Sequence, residues 1–204
     1  MLFEDTYLTI FQPSEGLYKD KGSKFLSFAF PVVSEEEIKK HLSVLRKLHP
    51  GASHHCYAFR LGADKQSYRS NDDGEPSNTA GKPILGQIQS KDLTNILIVV
   101  VRYFGGTLLG VSGLIQAYKL SSSDAISNAK IVERTVNDVY ELKFEYLYMN
   151  DVMKIIKDEN MNILSQNFEL TCFLWFSVRK SNSTKVYDLL SKIEGLEIKY
   201  LKTI

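Results

Sequence analysis

The chain has 204 residues, of which 44% are hydrophobic, 24% charged and 11% aromatic; this excludes disorder, collagen-like repeats and a disulfide-built mini-protein. Lys plus Arg number 25 against 24 acids, a formal net charge of +1, so any attraction to a polyanion must come from a local patch. The two cysteines, Cys56 and Cys172, are far apart and outside any Cys-x-x-Cys spacing, which suits free thiols in a reducing cytosol.

Met1-Leu2-Phe3-Glu4-Asp5 carries acids where a signal peptide needs a basic region and an apolar run. Ile96 to Val101, the longest strongly apolar stretch, is far too short to span a bilayer. The expectation is a cytoplasmic protein with no membrane partner.

In the first half, Tyr7–Phe11 and Lys24–Val33 read as strands. Ser34-Glu35-Glu36-Glu37 opens a helix with a reciprocal capping box between Ser34 and Glu37. Ile38, Leu42, Leu45 and Leu48 form its apolar stripe, and Pro50-Gly51 ends it. His54–Leu61 alternates as a strand that sends His54 and His55 to opposite faces. Arg69–Asn78 is polar and turn-like, Thr79–Ile88 a short helix with Pro83 near its start. Asn95–Phe104 is a strand buried on both faces, and after Gly105-Gly106 a helix runs from about Val111 to Ala129.

A boundary is expected near Ile131–Asn137, giving domains 1–133 and 134–204. Beyond it the order is β-α-β-β-α-β: Asp138–Tyr146, Asn150–Glu159, Met161–Asn167, Leu170–Val178, Ser183–Ile193 and Leu196–Lys202. That order suits a ferredoxin-like sandwich, so the fold class is α+β in two domains. Neither domain is globally basic, with 15 basic and 14 acidic residues before Arg134 and 10 of each from there on.

Three segments carry more chemistry than a core needs. In His54-His55-Cys56, strand alternation accounts for one buried and one exposed His; a sharper reading gives His54 an acid/base or hydrogen-bonding role in a cleft. Asp72, Asp73 and Glu75 lie in a turn, where they could together ligate Mg²⁺, although no complete calcium-loop pattern is present. Ser77, Thr79, Gly81 and Lys82 lie at a helix entry, where free N–H groups suit a phosphate or carboxylate. Arg102, Tyr103, Gly105 and Gly106 end the buried strand, with the guanidinium and ring available to a nucleotide or RNA loop. The glycine spacing excludes a Walker loop and Gly-x-Gly-x-x-Gly, leaving tight strand-to-helix packing as the plain alternative. No Gly-x-Ser-x-Gly supports a serine hydrolase.

Together His54-His55-Cys56-x-Ala58, Asp72-Asp73-Gly74-Glu75-Pro76, Thr79-Ala80-Gly81-Lys82-Pro83-Ile84-Leu85 and Val101-Arg102-Tyr103-Phe104-Gly105-Gly106 resemble the YigZ/IMPACT family. Lys21-Gly22-Ser23-Lys24-Phe25 is similar to its upstream segment. The resemblance implies an N-terminal domain like a ribosomal-protein domain and elongation factor G domain IV. It also implies a C-terminal domain like elongation factor G domain V. It further implies a role in translational control: the eukaryotic relative, which has an additional N-terminal protein-binding domain, binds the activator of a stress-responsive initiation-factor kinase, a partner that does not carry over to this chain. Gln116 stands where family members carry a basic residue, which weakens a polyanion site on that helix. The expected function is an RNA- or ribosome-associated regulator of translation. The alternatives are an enzyme acting on a phosphorylated small molecule, through His54, Asp72, Asp73, Glu75, Thr79 and Arg102, and a protein-binding regulator. No resident cofactor beyond Mg²⁺ is suggested.

Overall fold

The structure is a computed structural model and describes residues 5–204; the reading of Met1–Glu4 lies outside the described residues. The chain forms two compact units, Tyr7–Arg134 and a second in which Thr135–Ile204 is joined by the chain up to Thr6.

In the first unit, strands β2 (Ser14–Asp20), β3 (Ser23–Pro31), β4 (His54–Leu61), β5 (Ser67–Asn71) and β6 (Ile96–Tyr103) build one sheet in the order β2-β3-β6-β4-β5. Every neighbouring pair is antiparallel. Central β6 reads Ile-Leu-Ile-Val-Val-Val because both its faces are covered. Ile96, Ile98 and Val100 enter a core with Ile84 and Ile88 of α2 (Gly81–Ser90) and Leu114, Ala117 and Tyr118 of α3 (Gly110–Ser127). Leu97, Val99 and Val101 enter a second core with Ile38 and Leu45 of α1 (Glu35–Leu48). Helices on both faces thus make three layers.

Ser34 caps α1, its Oγ accepting from Glu37 N–H at 3.3 Å. The Glu37 carboxylate reaches one residue beyond the expected box, accepting from Val33 N–H at 2.8 Å. Leu48 leaves the expected stripe and is 67% exposed. Two further strands carry little local signal. Ser14–Asp20 interleaves Gly16 and Lys19 with few β-branched residues, and Ser67–Asn71 is an edge strand exposed along its length. Both owe their conformation to pairing with a neighbour, which local propensity does not register. The expected connector also differs: Ile131–Thr135 is a strand, β7, paired with β1 (Thr6–Ile10) in a separate two-stranded sheet.

The second unit has β8 (Asn137–Glu145), α4 (Met149–Asp158), β9 (Asn162–Phe168), β10 (Thr171–Arg179), α5 (Lys180–Leu190) and β11 (Glu197–Thr203). The antiparallel sheet order β11-β8-β10-β9 is the ferredoxin-like arrangement. Leu142, Phe144, Cys172, Leu174 and Phe176 pack against Val152, Ile156, Val186 and Leu190 of the two helices. Asp5 belongs to this unit rather than to the first. Its carboxylate accepts from Arg179 Nε at 2.7 Å and Nη2 at 2.8 Å, and its carbonyl accepts from Val136 N–H at 2.7 Å. Among the described residues, no helix is long and apolar enough to cross a membrane.

Candidate functional site

Strand register sorts the chemistry-bearing residues. Arg102 on β6 lies opposite His54 on β4 and Phe25 on β3, so all three side chains emerge on the face covered by α2 and α3. One residue further, Tyr103 lies opposite Lys24, which lies opposite Lys19, so that row emerges on the other face. Arg102 and Tyr103 therefore cannot serve one ligand as guanidinium and stacking ring, because adjacent strand residues point apart.

On the α2/α3 face, Arg102 Nη1 donates to Glu75 Oε1 at 2.6 Å, and their side chains are only 6% and 3% exposed. The Tyr118 hydroxyl donates to the same oxygen at 2.7 Å. The guanidinium lies 5.4 Å from the Phe25 ring centroid and 5.5 Å from that of Phe104, within cation–π range. His54 Nδ1 contacts the Asp73 carbonyl at 2.8 Å. A carbonyl only accepts, so Nδ1 carries the proton and Nε2 faces Glu75 Oε1 across 3.9 Å. His54, Glu75 and Arg102 floor a cleft of about 500 Å³ walled by Pro76, Phe104, Leu108, Leu109, Val111 and Leu114.

The other expected residues have structural duties. Asp72 Oδ1 accepts from Ala80 N–H at 3.0 Å and Gly81 N–H at 2.8 Å, and Oδ2 accepts from Asn78 N–H at 2.9 Å. The α2 entrance does hold a carboxylate, but it is the chain's own, which takes the N–H groups a phosphate would need. At Gly81 a Cβ would meet Asn71 N at 2.6 Å, so close packing against β5 by itself requires a glycine there. Thr79 is buried, its hydroxyl donating to the Pro76 carbonyl at 2.7 Å, whereas Ser77 and Lys82 are exposed.

Asp73 pairs with Arg46 at 3.0 Å and accepts from His55 N–H at 2.7 Å, while Glu75 turns to Arg102. Asp72, Asp73 and Glu75 thus point to three different partner sets. Among the described residues no cluster of three or more His, Cys, Asp or Glu side chains is placed to hold a metal. The expected shared Mg²⁺ site is not assembled. Gly105 and Gly106 do not line the cleft either: a Cβ on Gly105 would lie 2.0 Å from Gly22 C, and Gly106 has φ +82°. Their role is close approach and turn geometry.

Burial pushes the Cys56 thiol well above its ordinary range, with the neighbouring carboxylates acting in the same direction. Burial likewise holds the Tyr118 phenol protonated. Neither is poised as a nucleophile. His55, buried toward α1, has its pKa lowered by burial against a smaller opposing pull from Asp73. Sequence reasoning missed Tyr118, Phe104 and the leucines of the cleft, which read as core. It also missed Lys19 and Lys24, whose register depended on the unread β2.

Residues 21–126 match the family described as Impact N-terminal domain, just over half the chain. IMPACT family member YvyE of Bacillus subtilis is 30% identical over 206 residues, covering 97% of this chain and 94% of that protein. The chain belongs to the IMPACT family. Among other IMPACT family members, YigZ of Escherichia coli is 34% identical over 151 residues, covering 73% of this chain and 74% of that protein. Protein IMPACT of Oryctolagus cuniculus is 35% identical over 94 residues, which cover 45% of this chain and only 30% of that longer protein. Among solved structures, a crystal structure of a hypothetical protein aligns with TM-score 0.75 and 28% identity over 98% of this chain and 99% of that one. The two-domain α+β fold is therefore shared along nearly the whole chain.

Proposed function

We propose that this IMPACT-family chain acts in the regulation of translation by binding, and that its N-terminal unit takes a short segment of a partner protein into the Glu75–Arg102 cleft. The observation that supports this most directly is the apolar rim. Phe104 is 49%, Leu108 82% and Val111 60% exposed, a concentration that marks an interaction site when it borders a formed cavity. The charged floor is already neutralised, since Arg102 and Glu75 hold each other. A phosphate would have to displace Glu75 from a buried guanidinium, which argues against Arg102 as an RNA contact and against a phosphorylated substrate here. An apolar side chain with a backbone carbonyl or amide at its edge fits such a lining without that displacement.

RNA or ribosome association is supported by a different observation, the row of exposed Lys19 and Lys24 with half-buried Tyr103 on the opposite face. The two readings are compatible because the charged groups of the two surfaces emerge on opposite faces of the sheet, with Phe104 bordering both. The protein-binding reading is tested by passing nuclease-treated lysate of the chain's own cells over immobilised full chain and over its Leu108→Asp variant. The expected result is a protein of the translation apparatus retained after nuclease and lost with Leu108→Asp. Retention only of nuclease-released material, or equal retention by both chains, contradicts it.

A further inference from the structure

The end of the β2–β3 hairpin holds an arrangement that folding alone disfavours. Lys19 and Lys24 are directly cross-strand partners, and Lys24 is in turn opposite Tyr103. Directly opposed side chains stand about 5 Å apart at Cβ, where like charges destabilise a sheet. Among the described residues neither lysine is in an ion pair. Both are exposed, as is Lys21 in the turn. The row edges a cavity of about 530 Å³ lined by Leu17, Lys19, Gly22, Lys24, Leu26, Tyr103 and Phe104, with no carboxylate among them. Asp20, the nearest acid in sequence, is opposite Ser23 and so lies on the other face.

Tyr103 is held in place: its hydroxyl is 2.9 Å from His49 Nδ1. The ring is half-buried and Phe104 beside it is 49% exposed. The hairpin is fixed too, since Gly22 sits against Gly105 and the Ser23 hydroxyl accepts from Gly105 N–H at 3.1 Å. Two unpaired cations and a fixed aromatic ring over an apolar floor are complementary to a phosphodiester carrying an unstacked base. We propose that the Lys19–Lys24–Tyr103 row binds single-stranded RNA, the lysines on successive phosphates and Tyr103 under a base. This rests on the RNA-associated reading and is independent of protein capture in the cleft.

The test is fluorescence anisotropy of a labelled twelve-nucleotide oligouridylate with the full chain between 50 and 200 mM salt. Two phosphate contacts contribute about 1.4 to the log–log salt slope, at about 0.7 each for single strands. Lys19→Ala with Lys24→Ala is expected to weaken binding at least tenfold at 50 mM salt and to lower the slope by about that amount. Tyr103→Leu is expected to weaken binding about fivefold or more with the slope unchanged, and Tyr103→Phe, which keeps the ring, to restore most of it. Lys91→Ala, an exposed lysine elsewhere, and Val111→Glu, on the cleft rim, should leave RNA binding as it was. No binding of the oligonucleotide at 50 mM salt overturns the RNA reading as a whole. Binding that falls equally with Lys91→Ala overturns the site alone. Equal affinity for a polyglutamate peptide overturns the choice of RNA.

Discussion

Glu75 Oε1 accepts from Arg102 and Tyr118 together, so this one atom satisfies donors from β6 and α3 on behalf of the loop before α2. Removing one member of a buried ion pair leaves the other uncompensated, at a cost of about 3–5 kcal/mol. Glu75→Ala is therefore expected to lower unfolding free energy by that amount in urea titration. Adding Arg102→Leu should recover part of it, because the stranded charge is then gone. In the second unit, Arg179 and Ser181 hold the Asp5 carboxyl well below the usual carboxylate range, by hydrogen bonds that only the ionised form accepts fully. Since the folded-state value lies below the unfolded one of about 3.9, the pair stabilises fully above that pH and is lost as pH falls below it. Asp5→Asn should lower the melting temperature at pH 7, with the gap to the native chain closing as pH is taken from about 4 toward 2.

At the scale of elements, legibility followed how local the cause was. The α1 start was readable because Ser34 and Glu37 act within one turn, and β6 because burial on both faces leaves an unbroken apolar run. The β-α-β-β-α-β order was readable for the same reason, each element having its own periodicity. Strand β2 was not, since it is held by pairing with β3 and by contacts to α3, including Leu17 N–H to the Asp124 carboxylate at 2.9 Å. The site was partly legible. His54, Glu75 and Arg102 meet as grouped, yet the alternation that separated His54 from His55 applies equally to Arg102 and Tyr103 and assigns them to different faces. What could not be read was that Asp72, eight and nine residues before the N–H groups it caps, fills the α2 entrance. A cap of this kind contributes about 1–2 kcal/mol. Asp72→Ala should cost at least that in chemical denaturation, and the α2 amides should lose hydrogen-exchange protection ahead of β6.

For the whole molecule, the near-neutral charge balance and the register of one sheet lead to the same account. A chain with net charge +1 has no long-range pull on nucleic acid, so its recognition surfaces must be local. The sheet end offers two candidates within the first unit, an apolar-rimmed cleft over a neutralised ion pair and an unneutralised pair of lysines beside a tyrosine. The first of these is proposed to capture a protein of translational control. The most direct measurement of that capture is photo-crosslinking from position 108 of the full chain in its own cells, with products identified by mass spectrometry. The expected product is an adduct with a protein of the translation apparatus that disappears when Val111→Glu is added and persists when Lys24→Ala is added. An adduct with RNA alone, or a protein adduct indifferent to Val111→Glu, would contradict it.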